Sequence, residues 1–542
     1  MTPNPAGPDD PSVRPPSARD EELELWPARR IGWAASGWGT DRASPDAGTS
    51  LGAPTGVPLT ALESPVPAWC VATDAALDRL YETGGAPWIA LNPVDQPETP
   101  GPPHGTRSAP VPRGEPRRER GEPVGEARVR GSGAGFLHAI APPDRQACDI
   151  AMVFVTAGFH GDYGHIIDRV RRELRASHLV GCSATHGIAG GHVLEGRETV
   201  TVLAVTAPGS SVRSVALSPE VLERAVGLAA FPDRQAEYLH RATGVLPADV
   251  NGWVLLADHA SVEAPSVAAM WTAAWPGTTM IGAIASTGGR ADAADRATAL
   301  FHGGDVIPDG VVGLAIGGDW TIEAVSSQGC ASIGRPWTIT EVDGEHAIRR
   351  IGRQPALDVL LETVRALPPL LVERARGNLF AGLAVDEVHM TSSGAAPAVV
   401  SCAVLGADQD SGSLLVLGRP VVGQTVQFQY RDAAAATNDL ESQLRGTRTH
   451  TEGRAPLAAI VLADDARHAG FFGALNRDAS TVRTVAGPSA LAGFGCRAEL
   501  GPVGGAGRRR SVAMTHATCV GLLVPAGRPG DGATTTDDVA RG

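Results

Sequence analysis

Four short segments carry side chains able to do chemistry. Cys182-Ser183-Ala184-Thr185 follows an apolar run, and small hydroxyls with exposed backbone N–H groups in that position can hold a carboxylate or another anion. Gln328-Gly329-Cys330 ends the amphipathic stretch Trp320–Ser326, and its side-chain amide offers both donor and acceptor. Cys496 lies just ahead of Glu499, whose carboxylate suits an ammonium group, while Arg467 offers a guanidinium that can grip a carboxylate through two parallel bonds. Cys182, Ser183, Thr185, Gln328, Cys330, Arg467, Cys496 and Glu499 are therefore the candidate ligand-binding residues, for a small polar molecule such as an amino acid. Plainer readings stand beside these: small residues let loops pack closely, and Gly501-Pro502 can form a turn that leaves Glu499 in solvent.

Catalysis is weakly provided for. Cys182 has His186 and His192 close in sequence, but nothing supplies a third, orienting group, so binding is the expected role and a cysteine-dependent hydrolase the alternative. No metal site is expected, because the seven cysteines are scattered and never form a CxxC pair. His160, His165, His178, His186 and His192 cluster in sequence, and any of them could be an axial haem ligand. There is no Cys-x-x-Cys-His attachment motif, so no cofactor is expected and a haem-binding gas sensor is a further alternative. All 46 basic residues are arginine. Without lysine the chain can form neither a Walker A phosphate loop nor a protein-kinase site, and no Schiff base.

Bulk properties narrow the classes further. The 542 residues exceed what a single core usually serves, and the net charge of −13 disfavours nucleic acid and anionic membranes. Scattered thiols, no apolar run long enough to span a bilayer and no basic-then-apolar start lead to the expectation of a cytoplasmic protein with no membrane insertion.

The elements that must position these side chains alternate between strand and helix. Residues 1–131 are rich in Pro, Gly and Ser and read as a mostly disordered extension, with a small ordered island near 66–92 and a solvated Arg/Glu/Pro linker over 95–131. Residues 527–542 read as a disordered tail. Asp149–Thr156 has the continuous apolar pattern of a strand covered on both faces, followed by a helix over Tyr163–Ala176, a Gly-containing strand at Leu179–Ser183 and a strand at Thr199–Thr206. The same unit recurs as Gly252–Asp258, the helix Glu263–Trp275, Met280–Ser286 and Gly310–Ile316. A third copy runs through Leu457–Ala463, Leu491–Cys496 and Ser511–Val524. Ser218-Pro219 and Gln354-Pro355 start further helices, and Asp432 can cap a helix over Ala433–Arg445. The class is α/β (or α+β), with two related domains of mixed sheets and flanking helices.

Val180–Thr185, Thr298–Gly304 leading to Asp309–Gly317, and Ser327–Gly334 resemble the N region of the FIST family. Gly352–Leu360, Gly423–Phe428 with Arg431–Ala433, and Gly493–Gly504 resemble its C region. The family is a two-part module known from bacterial signal transduction and from a eukaryotic F-box protein. The resemblance implies a FIST N-like domain over 132–335 and a FIST C-like domain over 336–526. It implies a non-catalytic sensory protein that binds a small molecule and acts on a separate signalling protein, such as a histidine kinase or diguanylate cyclase. Family members carry a Ser-Cys-x-Gly-Arg-Gly-like loop where this chain has Ala463–Gly470, of which Arg467 and a glycine survive, and Arg497-Ala498 replace the family's polar pair before the glutamate. A vestigial pocket on a protein-interaction scaffold is the reading those departures keep open.

Overall fold

A computed structural model describes residues 33–40, 72, 73, 76, 147–287, 298–385, 398–450, 455–503 and 510–526. The expectations for the rest of the N-terminal extension, the linker and the tail fall outside these residues. Within the extension Trp33–Thr40 is a strand, although order was expected only in the island near 66–92. In the expected island, Ala72, Thr73 and Ala76 are helical and buried.

Three six-stranded sheets share one plan. The first has the order β1 (Trp33–Thr40), β6 (Thr199–Thr206), β2 (Ile150–Thr156), β3 (His178–Ala184), β10 (Leu300–His302), β11 (Asp305–Ile307). The second runs β7 (Ser210–Leu217), β12 (Val311–Gly318), β8 (Gly252–Ala257), β9 (Thr279–Ile284), β24 (Ala498–Val503), β25 (Arg510–Met514). The third runs β13 (Trp320–Ser327), β26 (Thr518–Pro525), β22 (Ala458–Asp464), β23 (Ala490–Cys496), β4 (Gly187–Ala189), β5 (His192–Leu194). In each, the two central strands are parallel and every other neighbour is antiparallel. Parallel neighbours need a crossover. It is α1 (Tyr163–Leu174) in the first unit, α4 (Ala264–Ala274) in the second, and α8 (Ala469–Phe472) with α9 (Arg477–Val485) in the third. The hairpin after each second strand leaves its own unit: β4–β5 joins the third sheet, β10–β11 the first and β24–β25 the second. The recurrence read in the sequence is thus a three-unit ring with exchanged hairpins.

Side-chain parity explains why these strands are apolar without alternation. Met152, Phe154, Val254, Leu256, Ile460 and Leu462 face one common core, where Phe154 and Phe494 stack 4.6 Å apart. Their neighbours Val153, Leu255 and Val461 face outward under helices: α1 in the first unit, and α4 with α2 (Pro219–Gly227) and α3 (Pro232–Thr243) in the second. In the third unit the cover is α9 and α7 (Ala433–His450). Each strand is therefore buried on both faces. The glycine in each second strand has a steric cause. A Cβ at Gly181, Gly282 or Gly493 would lie 1.9, 2.6 or 1.8 Å from the carbonyl oxygen of Val153, Leu255 or Val461, its parallel partner.

Between β13 and α7 the chain builds a closed barrel. β21 (Thr425–Arg431), β15 (Trp337–Asp343), β16 (Ala347–Ile351), β20 (Ser413–Val416), β19 (Val399–Asp408) and β18 (Leu379–Ala384) form the circuit, closed by β18 on β21. β14 (Cys330–Ser332) and β17 (Gln354–Pro355) pair on its rim, and α5 (Ala356–Arg365) and α6 (Pro369–Ala375) flank it. The mixed α/β class holds, but the sheets do not divide at residue 335. The barrel spans roughly the first half of the expected C-like domain, and the second half returns to complete the ring.

Candidate functional site

Counting four residues beyond each close-packed glycine gives Thr185, Ser286 and Arg497, one equivalent position from each unit. They meet at the strand ends around a single carboxylate. Thr185 Oγ1 and Ser286 Oγ donate to Asp465 Oδ2 at 2.8 and 3.0 Å, and the two hydroxyls also touch each other. Arg497 lies close enough to lower the pKa of Asp465. Backbone bonds hold the units together here: Thr185 N donates to Gly495 O at 3.2 Å, Gly495 N to His186 O at 2.9 Å, and Asp465 N to Cys496 O at 3.0 Å. Burial pushes the Asp465 carboxyl up to about 6, against the pull of the two hydroxyls. Its Oδ1 is buried and has no hydrogen-bond partner among the described residues.

Other acids nearby have structural work. Asp464 Oδ1 accepts from Ala466 N at 2.8 Å, and its Oδ2 from His516 N at 2.8 Å, pinning the loop ahead of β26. Its equivalent Asp258 accepts from Ala260 N and Ser261 N at 2.9 and 3.1 Å, and in the first unit Thr156 takes this place with Thr199. Position, not charge, is what these three share.

A second, wholly buried layer lies behind Asp465. Arg467 donates to both oxygens of Asp478 at 2.7 and 2.9 Å, and Thr518 Oγ1 donates to the same carboxylate at 2.6 Å. The edge of Arg467 that would grip a ligand carboxylate is thereby occupied, while Nη1 is buried and has no hydrogen-bond partner among the described residues. Glu499 is fully buried in β24, so the turn-in-solvent reading fails. Burial holds its pKa well above the carboxylate range, reinforced by Asp464. It accepts from Cys496 Sγ at 3.1 Å and leaves Oε2 without a hydrogen-bond partner among the described residues. Burial of this kind disfavours the charged carboxylate that pairing with an ammonium would need.

The barrel closes over the same strand ends. Arg431, at the end of β21, donates to Ala466 O at 2.8 Å and lies 3.8 Å over the Phe471 ring, and Phe380 meets His516 edge-on at 5.3 Å. Cys330 sits on this joint near Arg431 and Arg467, with burial pushing its thiol up to about 11. Gln328 commits its amide to the barrel, donating to Val399 O at 2.8 Å and accepting from Ser401 N at 2.7 Å. A narrow cleft with room for about one water molecule, lined by His186, Glu195, Phe472 and Asn476, also reaches Arg467 and Asp478.

Of the eight residues picked from sequence, Thr185 belongs to the hydroxyl–carboxylate cluster, and Arg467, Cys496 and Glu499 form the layer behind it. Cys330 and Gln328 lie at the joint. Cys182 is fully buried in the apolar core beside Leu300, with its pKa raised by burial, and Ser183 Oγ accepts from Ala299 N at 3.1 Å. Neither is presented to a ligand. The five histidines disperse: His160, His165 and His192 are exposed, while His178 begins β3 and His186 lies just past its other end. Burial holds His186 down to about 4. Sequence reasoning missed Ser286, Asp465, Asp478 and Arg497. Asp465 had a signal, two consecutive acids closing an apolar strand, and Arg497 was noted only as a departure.

A FIST N domain family model matches residues 149–354. An uncharacterized protein of Mycobacterium tuberculosis (strain H37Rv) is 31% identical over 340 residues, covering 63% of this chain and 83% of that protein. An uncharacterized protein of Mycobacterium bovis is 36% identical over 230 residues, 42% of this chain and 57% of that protein. The chain belongs to the FIST family.

Proposed function

We propose that the chain is a non-catalytic, cytoplasmic sensor that binds a small polar ligand where the three units meet, and that an amino acid is the ligand class. The carrying observation is the convergence of Thr185, Ser286 and Arg497 on Asp465, whose buried Oδ1 has no hydrogen-bond partner among the described residues. A ligand ammonium offsets the cost of that oxygen, and Arg497 supplies the cation for a ligand carboxylate. Because the barrel rests on Ala466 and His516, a change at Asp465 is felt at Arg431 and Phe380. That joint is the route by which occupancy reaches a separate signalling protein, a histidine kinase or diguanylate cyclase being the expected kind. A Cys182 hydrolase gains no support, because burial disfavours the thiolate that must attack.

Thermal stability in a panel of amino acids and small carboxylates tests this, since a ligand binding only the native state raises its melting temperature. Wild type and Cys182→Ala should respond to the same compound, and Asp465→Asn should lose the response. Loss of the response in Cys182→Ala with retention in Asp465→Asn would overturn the reading.

A further inference from the structure

The ring has three seams, and each is sealed by the outer strand of one sheet. β7 of the second sheet packs on β3 and β10 of the first, and β13 of the third packs on β9 and β24 of the second. β1 of the first sheet packs on β23 and β4 of the third. The first two sealing strands directly follow a third strand of the ring, β6 leading into β7 and β12 into β13. After β26 the ring has no further strand among the described residues. The third seam is instead sealed by Trp33–Thr40, which precedes β2 by 109 residues of chain, 41–149.

The edge that receives this strand is a poor free edge. β6, Thr199-Val-Thr-Val-Leu-Ala-Val-Thr206, is buried along its whole length. Half of its N–H and C=O groups point away from β2, and buried backbone groups must be paired. β1 pairs with all eight residues, from Trp33 opposite Thr206 to Thr40 opposite Thr199. Backbone ladder bonds recognise a strand by its extended form, as in strand addition at sheet edges.

From this placement we propose that the outer edge of β6 is a strand-binding site, and that Trp33–Thr40 is its tethered, separable ligand. The tether makes binding intramolecular and keeps the site filled against competitors. β4, which β1 also contacts, begins two residues after Thr185, so the docked strand lies against the element that follows the candidate site's first hydroxyl.

The test uses the full chain carrying Ala34→Pro and Ala35→Pro together. Alternate N–H groups of an edge strand face its partner, so one of two adjacent prolines must remove a ladder bond. Hydrogen exchange should then show at least a hundredfold loss of protection at alternate amides of β6, while those of β12 and β26 stay protected. A labelled synthetic peptide of residues 31–42 should bind this variant saturably and restore protection, and should bind wild type at least tenfold more weakly. If the double variant does not fold, the two single prolines replace it: one should admit the peptide and the other, whose backbone nitrogen points away from β6, should not. Unchanged β6 protection in the variant, a peptide that binds neither chain, or two single variants that behave alike would overturn the proposal.

Discussion

Asp465 is the residue on which the site turns, and its titration is measurable without knowing the ligand. Its carboxyl titrates at about 6 in the folded chain against roughly 3.9 unfolded. A raised carboxyl pKa means the folded state holds its proton longer. The associated stability is full below about pH 4 and is lost as pH rises through about 6. Asp465→Asn should remove that decline and stabilise the chain at pH 7 by on the order of 2 kcal/mol, read from urea melts between pH 4 and 8. His186 has the opposite sign, its stabilisation being lost as pH falls toward about 4, and it cancels in the comparison of variant with wild type. A variant whose pH profile parallels wild type would show that Asp465 does not titrate as described. Arg467 makes a different prediction. Arg467→Ala strands Asp478 in the interior and should cost about 3–5 kcal/mol in the same melts. At this scale the sequence was partly legible: Arg467, Cys496, Glu499 and Thr185 were picked by type, but a bond between Arg467 and Asp478 across a loop leaves no local pattern. Cys182 was picked because it follows a strand, yet the strand's inward parity, not its end, decides where that thiol points.

Element boundaries were legible because hydrophobic period and capping chemistry agree. The strand Thr199–Thr206 was read to the residue, and Asp432 caps α7 as expected, its Oδ1 accepting from Ala435 N at 2.9 Å. The glycine of each second strand was visible as a recurring letter, but its reason was not, because the clash is with a strand more than twenty residues upstream. That reason is testable. Gly181→Ala and Gly493→Ala place a methyl within 2 Å of a carbonyl oxygen and should each cost about 2–3 kcal/mol, whereas Gly282→Ala, at 2.6 Å, should cost less. Equal losses at the three positions would show that close approach is not what selects glycine.

At the scale of the molecule, the three-fold recurrence was legible in the sequence but the exchange of hairpins was not. Nothing in a local pattern says that β4–β5 leaves its own sheet to pair with β23, some 300 residues later. For the same reason the chain read as two consecutive domains, whereas the barrel interrupts a ring. The joint between barrel and ring carries its own prediction. Arg431→Ala removes the bond to Ala466 and the contact with Phe471 at a half-exposed edge, so it should shift the melting temperature little. If barrel and site are coupled, it should change ligand affinity by 5-fold or more, the usual scale of a coupling free energy. The most direct test of the whole account is a set of binding isotherms for the compound that stabilises wild type, measured on Thr185→Val, Ser286→Ala and Asp465→Asn beside Cys182→Ala. A site shared by three units predicts that each of the first three variants, one from each unit, weakens binding tenfold or more while Cys182→Ala stays within twofold. Affinity that is insensitive to Thr185→Val and Ser286→Ala would contradict it.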